Sequence, residues 1–565
     1  MTANHSPNTD LLFEHFATLA TAPDGIARLR ELILQLAVQG KLGTQDAGDE
    51  PASVLLEKIR KEKDRLVKEG KIKKDKPLKM SASEEPPGLL PKTWVWTHLS
   101  EVGLVNPRNY DIADDEDVSF IPMTLIPVGY KKPAQQEIKK WGEIKTGFTH
   151  FADNDVVMAK ITPCFQNGKS VVLKNLKNGV GAGTTELHVF RTIKNLMNPE
   201  YVLLFLKTPE FLETGIRRMT GSAGQKRVPN EYFSETSFPL PPLAEQSRIV
   251  AKVDRFMTIC DKLETQQQQE RAGCLRLGTA SLAGLQNAES PEEFGRQWAQ
   301  VCDAFDLILD CPENVAVLRQ TILQLAVQGR LVRQEPGDKP AGKLVEKIRK
   351  EKERLVKEGK IKREKPLENI KEILHKVPDA WQLCQLGEIS EIIMGNSPPG
   401  DTYNSYGDGV PLINEPTEFS KLPLGKTIIS QYTTQPTKFC MENDLLICVR
   451  GATTGRTNIA GFDACIGRGV AVIRSPLIQS YLNMFILTKA QQILDMGTGS
   501  TFPSISQNDL LTIPVPLPPL AEQHRIVEKV DALMALCDAL EVRLKERAGI
   551  LTKFTDVVVK NVGTG

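Results

Sequence analysis

Apolar residues at Leu29, Leu32, Ile33, Leu36 and Ala37 recur at i, i+3, i+4 and i+7. That stripe predicts an amphipathic helix over 29–39, with Gly40 as its C-terminal cap. The same pattern returns later and runs to Gly329. A second helix is predicted over 52–69, with Leu55, Ile59 and Leu66 inward and a dense charged face. After the rigid PLPPL a longer helix begins, since proline continues neither a helix nor a strand. Its apolar positions are Ile249, Val253, Phe256, Cys260 and Leu263. A later helix carries Ile526, Val530, Leu533, Cys537, Leu540 and Leu544. Both sets step by four and three alternately, the a/d seam of a coiled coil. The economical expectation pairs these two helices with each other as a spacer; ordinary bundle packing is the alternative. Residues 1–25 and 275–315 read as further helical segments.

Between the helices the period changes. Val156–Met158, Ser170–Leu173, Leu187–Phe190, Leu445–Val449 and Val470–Ile473 are short β-prone runs punctuated by Gly and Pro. Pro199–Leu206 and Gln479–Leu487 read as short helices among them. Each stretch is expected to form a compact α+β globule.

The helical pattern is written twice. Leu29–Leu78 aligns without a gap on Leu318–Leu367, and 36 of the 50 positions are identical. PLPPLAEQ occurs at Pro239–Gln246 and Pro516–Gln523, followed each time by RIVxKVD. The globules, near 89–238 and 376–515, resemble each other only at their edges, as in Pro91–Trp94 and Pro378–Trp381. A duplicated frame predicts two similar halves related by a pseudo-two-fold, each holding a different insert.

Composition adds limits. The 565 residues hold 71 Lys+Arg and 70 Asp+Glu, with 41% hydrophobic and 25% charged residues, which excludes a disordered tail or a disulfide scaffold. No apolar run approaches the ~18 residues of a membrane span. Met1–Asp10 is polar, without a signal-peptide core. Ten cysteines without a CxxC pair fit a reduced cytosol.

The near-zero balance hides local excess. Glu57–Lys79 holds 11 basic and 5 acidic residues; Glu346–Lys365 holds 10 and 5. Such blocks attract phosphate, or form a solvated face laced with i, i+4 pairs, the commoner outcome. Basic and amide residues also sit beside glycines within the globules. In the first these are Lys160, Asn167, Lys169, Gln225, Lys226 and Arg227. In the second they are Arg450, Thr453, Arg456 and Arg468, with Ser500 and Thr501 in a further Gly-rich run. Glycine permits close backbone approach, and Lys or Arg beside it reaches phosphates or guanine acceptors. A Gly-Arg turn on any surface loop is the commoner explanation of each motif taken singly.

Catalytic signatures are not apparent. GNSPPGDT (Gly395–Thr402) is the nearest approach to a phosphate-binding loop, but Asp401 stands where the lysine belongs. NPRN (Asn106–Asn109) lacks the aromatic-flanked Pro-Pro of an adenine methyltransferase. The seven histidines show no ligand spacing. The carboxylates Asp153 and Asp155 near Lys160 read as turn residues.

The order of frame and insert, PLPPLAEQxRIV, ITPCFQNGK (Ile161–Lys169), MGNSPPGDTYN (Met394–Asn404) and GTGSTFPSIS (Gly497–Ser506) resemble the specificity (S) subunit of type I restriction–modification systems. The resemblance covers about 29–549. It implies an α+β chain: two target recognition domains, separated by long antiparallel coiled-coil-like helices, in a pseudo-two-fold repeat. The implied divisions are a helical region at 1–88, a recognition domain at 89–238, a helical spacer at 239–375, a second recognition domain at 376–515 and a helical region at 516–565. It implies a non-catalytic, cytoplasmic bacterial or archaeal protein that reads a bipartite, asymmetric site in double-stranded DNA. It implies two methyltransferase (M) subunits using S-adenosylmethionine to methylate adenine, and restriction (R) subunits using ATP and Mg. No cofactor in this chain and no membrane are expected. A helical scaffold with protein-binding globules is the alternative.

Overall fold

The computed structural model describes residues 16–72, 88–222, 224–361, 377–414, 416–451, 453–497 and 503–564. The chain forms two compact units. One runs to Gln269 and takes in Glu546 onward; the other is Glu270–Lys545.

The first unit opens with α1 (Gly25–Val38), whose Leu29, Leu32, Ile33, Leu36 and Ala37 are all buried. Gly40, at φ +70°, closes the helix. Its N–H donates to Ala37 O and that of Lys41 donates to Leu36 O, the paired bonds of a Schellman cap. A Cβ at Gly40 would lie 2.4 Å from Pro91, so the cap also seats the entry to the globule. α2 (Ala52–Lys68) buries Leu55, Leu56 and Ile59. Much of its basic face is spent on local pairs: Lys58–Glu50, Arg60–Glu101, and Arg65 with Glu62 and Glu69. The laced face is therefore the outcome for these side chains; residues 73–79 lie outside the described residues.

The globule is clasped at its ends. β1 (Val95–His98) pairs antiparallel with β10 (Ser237–Leu240), Val95 opposite Leu240. Between them lie β2 (Gly103–Val105), β3 (Asp117–Ile121), β4 (Glu137–Lys140), β5 (Thr149–Ala152), β6 (Val156–Ala159), β7 (Ser170–Val172), β8 (Val180–Gly183) and β9 (Leu187–Thr192). They form two sheets, β2-β9-β6-β7 and β4-β3-β8-β5. β3 and β8 run parallel; the other pairs are antiparallel. Helices α3 (Pro199–Leu206) and α4 (Pro209–Arg218) follow, each with a side-chain N-cap, Asn198 and Thr208. α5 (Leu243–Asn287) begins at the PLPPL break.

The second unit repeats this order after α6 (Pro291–Asp303). α7 (Glu313–Val327) and α8 (Ala341–Lys357) match α1 and α2, and Gly329 and Arg330 repeat the Schellman bonds. Arg354 pairs with Glu351 and Glu358 as Arg65 does with Glu62 and Glu69. The basic run beyond Ile361 lies outside the described residues.

β11 (Gln382–Gln385) and β21 (Pro514–Leu517) clasp the second globule. Inside are β12 (Glu391–Met394), β13 (Tyr403–Asn404), β14 (Val410–Ile413), β15 (Gln431–Thr433), β16 (Phe439–Cys440), β17 (Leu445–Cys448), β18 (Thr457–Ile459), β19 (Ala464–Ile466) and β20 (Val470–Arg474). The sheets are β12-β20-β17-β18 and β13-β15-β14-β19-β16, again with one parallel pair, β14 and β19. Apart from β13, this is the connectivity of the first globule. α9 (Gln479–Thr488) follows, and α10 (Leu520–Thr564) begins in this unit and ends in the first.

PLPPLAEQ is the knot of each unit. Glu245, fully buried, accepts from Trp94 Nε1 at 2.8 Å, Thr44 Oγ1 at 2.9 Å and Gln45 Nε2 at 3.0 Å. Glu522 accepts from Trp381 Nε1 at 3.0 Å and Gln334 Nε2 at 3.4 Å. Burial pushes both carboxyls above the usual range, and the tryptophan donors oppose that shift. Arg248–Asp49 and Arg525–Asp338 close the next helical turn.

The seam predicted to join the long helices finds a partner inside each unit. Ile249, Val253 and Cys260 sit in one core with Leu29, Ile33 and Leu36, with Phe256 and Leu263 packed against it. Ile526, Val530 and Cys537 sit with Ile322 and Ala326, with Leu533 and Leu540 against them. Arg30–Asp261 and Arg319–Asp538 hold frame helix to long helix at matching places. The first core also takes in Val558 of α10, with Phe554 and Val559 against it, and Arg28 pairs with Asp556. A spacing of four and three specifies a stripe to bury, and the frame helix joins the long helices in burying it.

Candidate nucleic-acid interface

At one end of β6 the first globule gathers three connections. The loop from Lys160 to Lys169 joins β6 to β7. A short turn, Thr184–Glu186, joins β8 to β9. A Gly-rich loop, Thr220–Arg227, leaves α4. Backbone bonds lock them together. Lys160 N–H donates to Glu186 O at 3.0 Å, Thr162 N–H to Lys226 O at 3.0 Å and Val228 N–H to Lys160 O at 2.8 Å.

The second globule builds the same platform bond for bond. Val449 N–H donates to Gly469 O at 2.9 Å, Gly451 N–H to Pro503 O at 3.1 Å and Ile505 N–H to Val449 O at 3.0 Å. Isolated bridges mark the same crossing, Ile161 with Arg227 and Arg450 with Ser504. Lys226–Val228 and Pro503–Ile505 are thus one structural position in two sequences.

All the described candidate residues fall on these loops. Lys160, Gln225, Lys226 and Arg227 are brought together by the crossing, with Gln225 and Lys226 exposed. Asn167 is exposed at the far turn of the first loop. Lys169 is already engaged, its ammonium donating to Met123 O at 3.0 Å. Buried Lys207 braces the same turn, donating to Gly168 O and Val128 O at 2.9 Å. Burial pulls its ammonium down to about 8.

In the second globule Arg450 and Arg468 are exposed on two of the three connections. Thr453 bonds the Cys448 thiol within its loop. Arg456 is half-buried and donates to Ser420 O at 2.7 Å, so part of its guanidinium braces the loop. Ser500 and Thr501 lie outside the described residues.

The platforms also include residues that sequence reasoning passed over. Asn106, seen in the sequence only as part of a failed methylase motif, follows β2 onto the same end. Its Oδ1 accepts from Val189 N–H at 2.9 Å and its Nδ2 donates to Asn230 Oδ1 at 2.7 Å. Ser397 accepts from the backbone N–H of Arg468 at 3.1 Å and donates to Asn414 at 3.0 Å. Glu186 was missed as well. Its carboxylate grips Arg227, which holds it below the usual carboxylate range. The signal that finds these residues is their place next to a strand end, visible only once the strands are paired.

Behind the platform each globule has an ion pair on a buried carboxylate, in matching register. Asp155, 1% exposed, pairs with Arg191 at 2.8 Å and accepts from Ala152 N–H at 2.7 Å. Asp444 pairs with Arg474 at 2.5 Å and accepts from Met441 N–H at 2.7 Å. Each clamps the strand that leads into the first platform loop. These residues answer the sequence-level question about Asp155: it is a structural acid.

Among the described residues no group of three or more His, Cys, Asp or Glu side chains is placed to hold a metal ion. Among them too, no helix is long and apolar enough to cross a membrane.

Residues 91–271 and 378–548 match the family described as type I restriction modification DNA specificity domain. The two matches contain both globules with their platforms. The chain is 39% identical over 544 residues to the type I restriction enzyme EcoEI specificity subunit of Escherichia coli, covering 92% of this chain and 91% of that one. It is 40% identical over 539 residues to the EcoAI specificity subunit of the same organism, with the same coverage. A solved chain from work on complex assembly and conformational transition of the type I R-M system shares the fold. It aligns at TM-score 0.53 and 22% identity, over 84% of this chain and 99% of that one. With two matching domains on a twice-written frame, the chain belongs to the specificity subunits of type I restriction–modification systems.

Proposed function

We propose that each globule reads one half of a bipartite DNA site through its three-loop platform, and that the duplicated frame docks partner subunits. The observation that carries this reading is the platform itself. The same backbone crossing stands at the same sheet end in both globules, yet the side chains it displays differ. Sequence is read at base edges, while phosphate contacts only position the protein. A fixed backbone with interchangeable basic and amide side chains suits that division. Lys160, Asn167, Gln225, Lys226 and Arg227 in the first globule, and Arg450 and Arg468 in the second, are the DNA-facing side chains in this reading. Lys169, Thr453 and Arg456 support the loops.

The frame then presents nearly the same surface twice, which suits two copies of one methyltransferase partner. S-adenosylmethionine, ATP and Mg are assigned to the methyltransferase and restriction partners. The chain itself supplies recognition and no bond-making step.

The test exchanges residues 89–238 for the corresponding globule of a relative. The full chain is then expressed with its methyltransferase partner, and modified adenines are mapped. One half of the recognised sequence should change and the other half stay. A change in both halves, or methylation without any sequence preference, would defeat the reading; the latter would favour a protein-binding scaffold.

A further inference from the structure

We infer that Glu186 presets Arg227 as a reader of guanine in the first half-site. This rests on the proposed DNA-reading role of the platform and narrows it to one side chain and one base.

Arg227 is fixed twice. Its backbone exchanges hydrogen bonds with Thr220, N–H to O at 2.8 Å and O from N–H at 3.0 Å. Its guanidinium is then oriented by two acceptors. Nε lies 3.1 and 2.9 Å from the two Glu186 oxygens, and Nη2 lies 2.8 Å from Oε1. Nη1 donates to Gln225 O at 3.1 Å. A guanidinium carries five N–H groups. These contacts occupy Nε–H and one N–H on each terminal nitrogen. One N–H remains on Nη1 and one on Nη2. The Arg227 side chain is still 42% exposed, so the remaining donors are not sealed in the core. Two donors on a planar fork match the O6 and N7 acceptors of guanine in the major groove. Because the fork is already held, little ordering cost falls due on binding.

The comparison between globules separates this pair from the structural ones. Arg191–Asp155 has its counterpart in Arg474–Asp444. Trp94–Glu245 has its counterpart in Trp381–Glu522. Glu186–Arg227 has none. The bonds that place Glu186 and Arg227 on the crossing place Gly469 and Ser504 in the second globule. A contact needed to hold this fold would be expected in both copies. A contact that sets which base is read should be private to one.

Glu186 is therefore a positioning residue and Arg227 the base-contacting one. The experiment uses the full chain purified with its co-expressed methyltransferase partner. Bound duplexes are selected from a pool with randomised positions, for the natural chain, Arg227→Lys and Glu186→Gln. Lysine keeps the charge and loses the fixed planar fork, so a phosphate contact survives this change and a bidentate guanine contact is weakened.

The expected result is loss of preference at one G·C pair of one half-site, by about 10- to 100-fold in Arg227→Lys. Glu186→Gln should loosen the same position by a smaller factor. Affinity for random DNA and its salt dependence should stay close to natural in Arg227→Lys, which keeps the charge; in Glu186→Gln affinity for random DNA should rise, because an acid beside the phosphates is gone. Retention of the natural preference in Arg227→Lys would overturn the inference, as would equal weakening of all sequences. If the natural chain itself selects no sequence, it is the DNA-reading role that fails.

Discussion

The two recognition domains have almost no sequence in common, yet they are strung through space the same way. β6 and β17 are each flanked by a hairpin partner and by the strand that carries the arginine of the ion pair. What repeats between them is strand pairing, the clasp, and a carboxylate–arginine lock. What differs is the side chains on the three loops and a few core choices. His188 in the first domain occupies the register position of Ala471 in the second, opposite Met158 and Ile447 respectively. The comparison teaches that backbone pairing and a few buried polar contacts specify this fold. The apolar filling and the loop tips are left free to diverge.

The lock is the most sensitive part of that comparison. Arg191→Ala and Arg474→Ala should each cost about 3–5 kcal/mol, because each leaves a buried carboxylate without its partner. Urea unfolding of the purified chain reads this. A large loss in one domain and none in the other would break the claimed equivalence.

Acid should sharpen the difference at His188. The ring stacks on Phe233, and burial pulls its pKa down from 6.5 to about 4. Unfolded chains therefore take up this proton first as pH falls. The stabilisation is complete above pH 6.5 and is lost on the way down to pH 4, by on the order of 3 kcal/mol. Hydrogen exchange should show β9 losing protection at pH 4.5 ahead of β20. His188→Gln should remove that difference.

Next comes the frame knot. Glu245→Ala strands buried donors on Trp94 and Thr44 and should cost about 2 kcal/mol. Glu522→Ala should cost slightly less, since one of its bonds is long at 3.4 Å. The smallest effect is expected at Arg60→Ala and Arg349→Ala. These break the matching surface pairs with Glu101 and Glu388. Each should shift stability by less than about 0.5 kcal/mol, because solvent screens such pairs. A thermal melt that separates these two variants would show that the frame copies are not energetically alike.

Much of this was legible in the sequence. The helical stripe ending at Gly40 and Gly329, the runs at Val156 and Leu187, and the helix at Pro199 all stand where periodicity placed them. The frame copies were visible because their buried contacts constrain the same residues twice. The likeness of the two domains was not visible, because strand register leaves no mark on composition when each buried face tolerates many apolar residues. The long-helix seam was found, but not the frame helix that shares its core, since a stripe records what is to be buried and not by whom. The platform was half-legible. Gly-flanked basic residues led to the loops that the strand crossing joins, while Glu186 and Asn106 became significant only through the strands beside them.

The clasp at the base of each domain sets a boundary condition. Val95 lies opposite Leu240, and Gln382 opposite Leu517. Chain therefore enters and leaves each domain through neighbouring strands, about 5 Å apart. The clasp is reinforced by a shared core: Ile33 of the frame is buried with Val156 and Phe190, and Ile322 with Ile447 and Ile473. The outer sheet of each domain, where the extra β13 sits, is filled by separate apolar clusters that hold no frame residue. Mechanically, the inner sheet is one body with the frame, and the outer sheet is the layer free to grow without disturbing it.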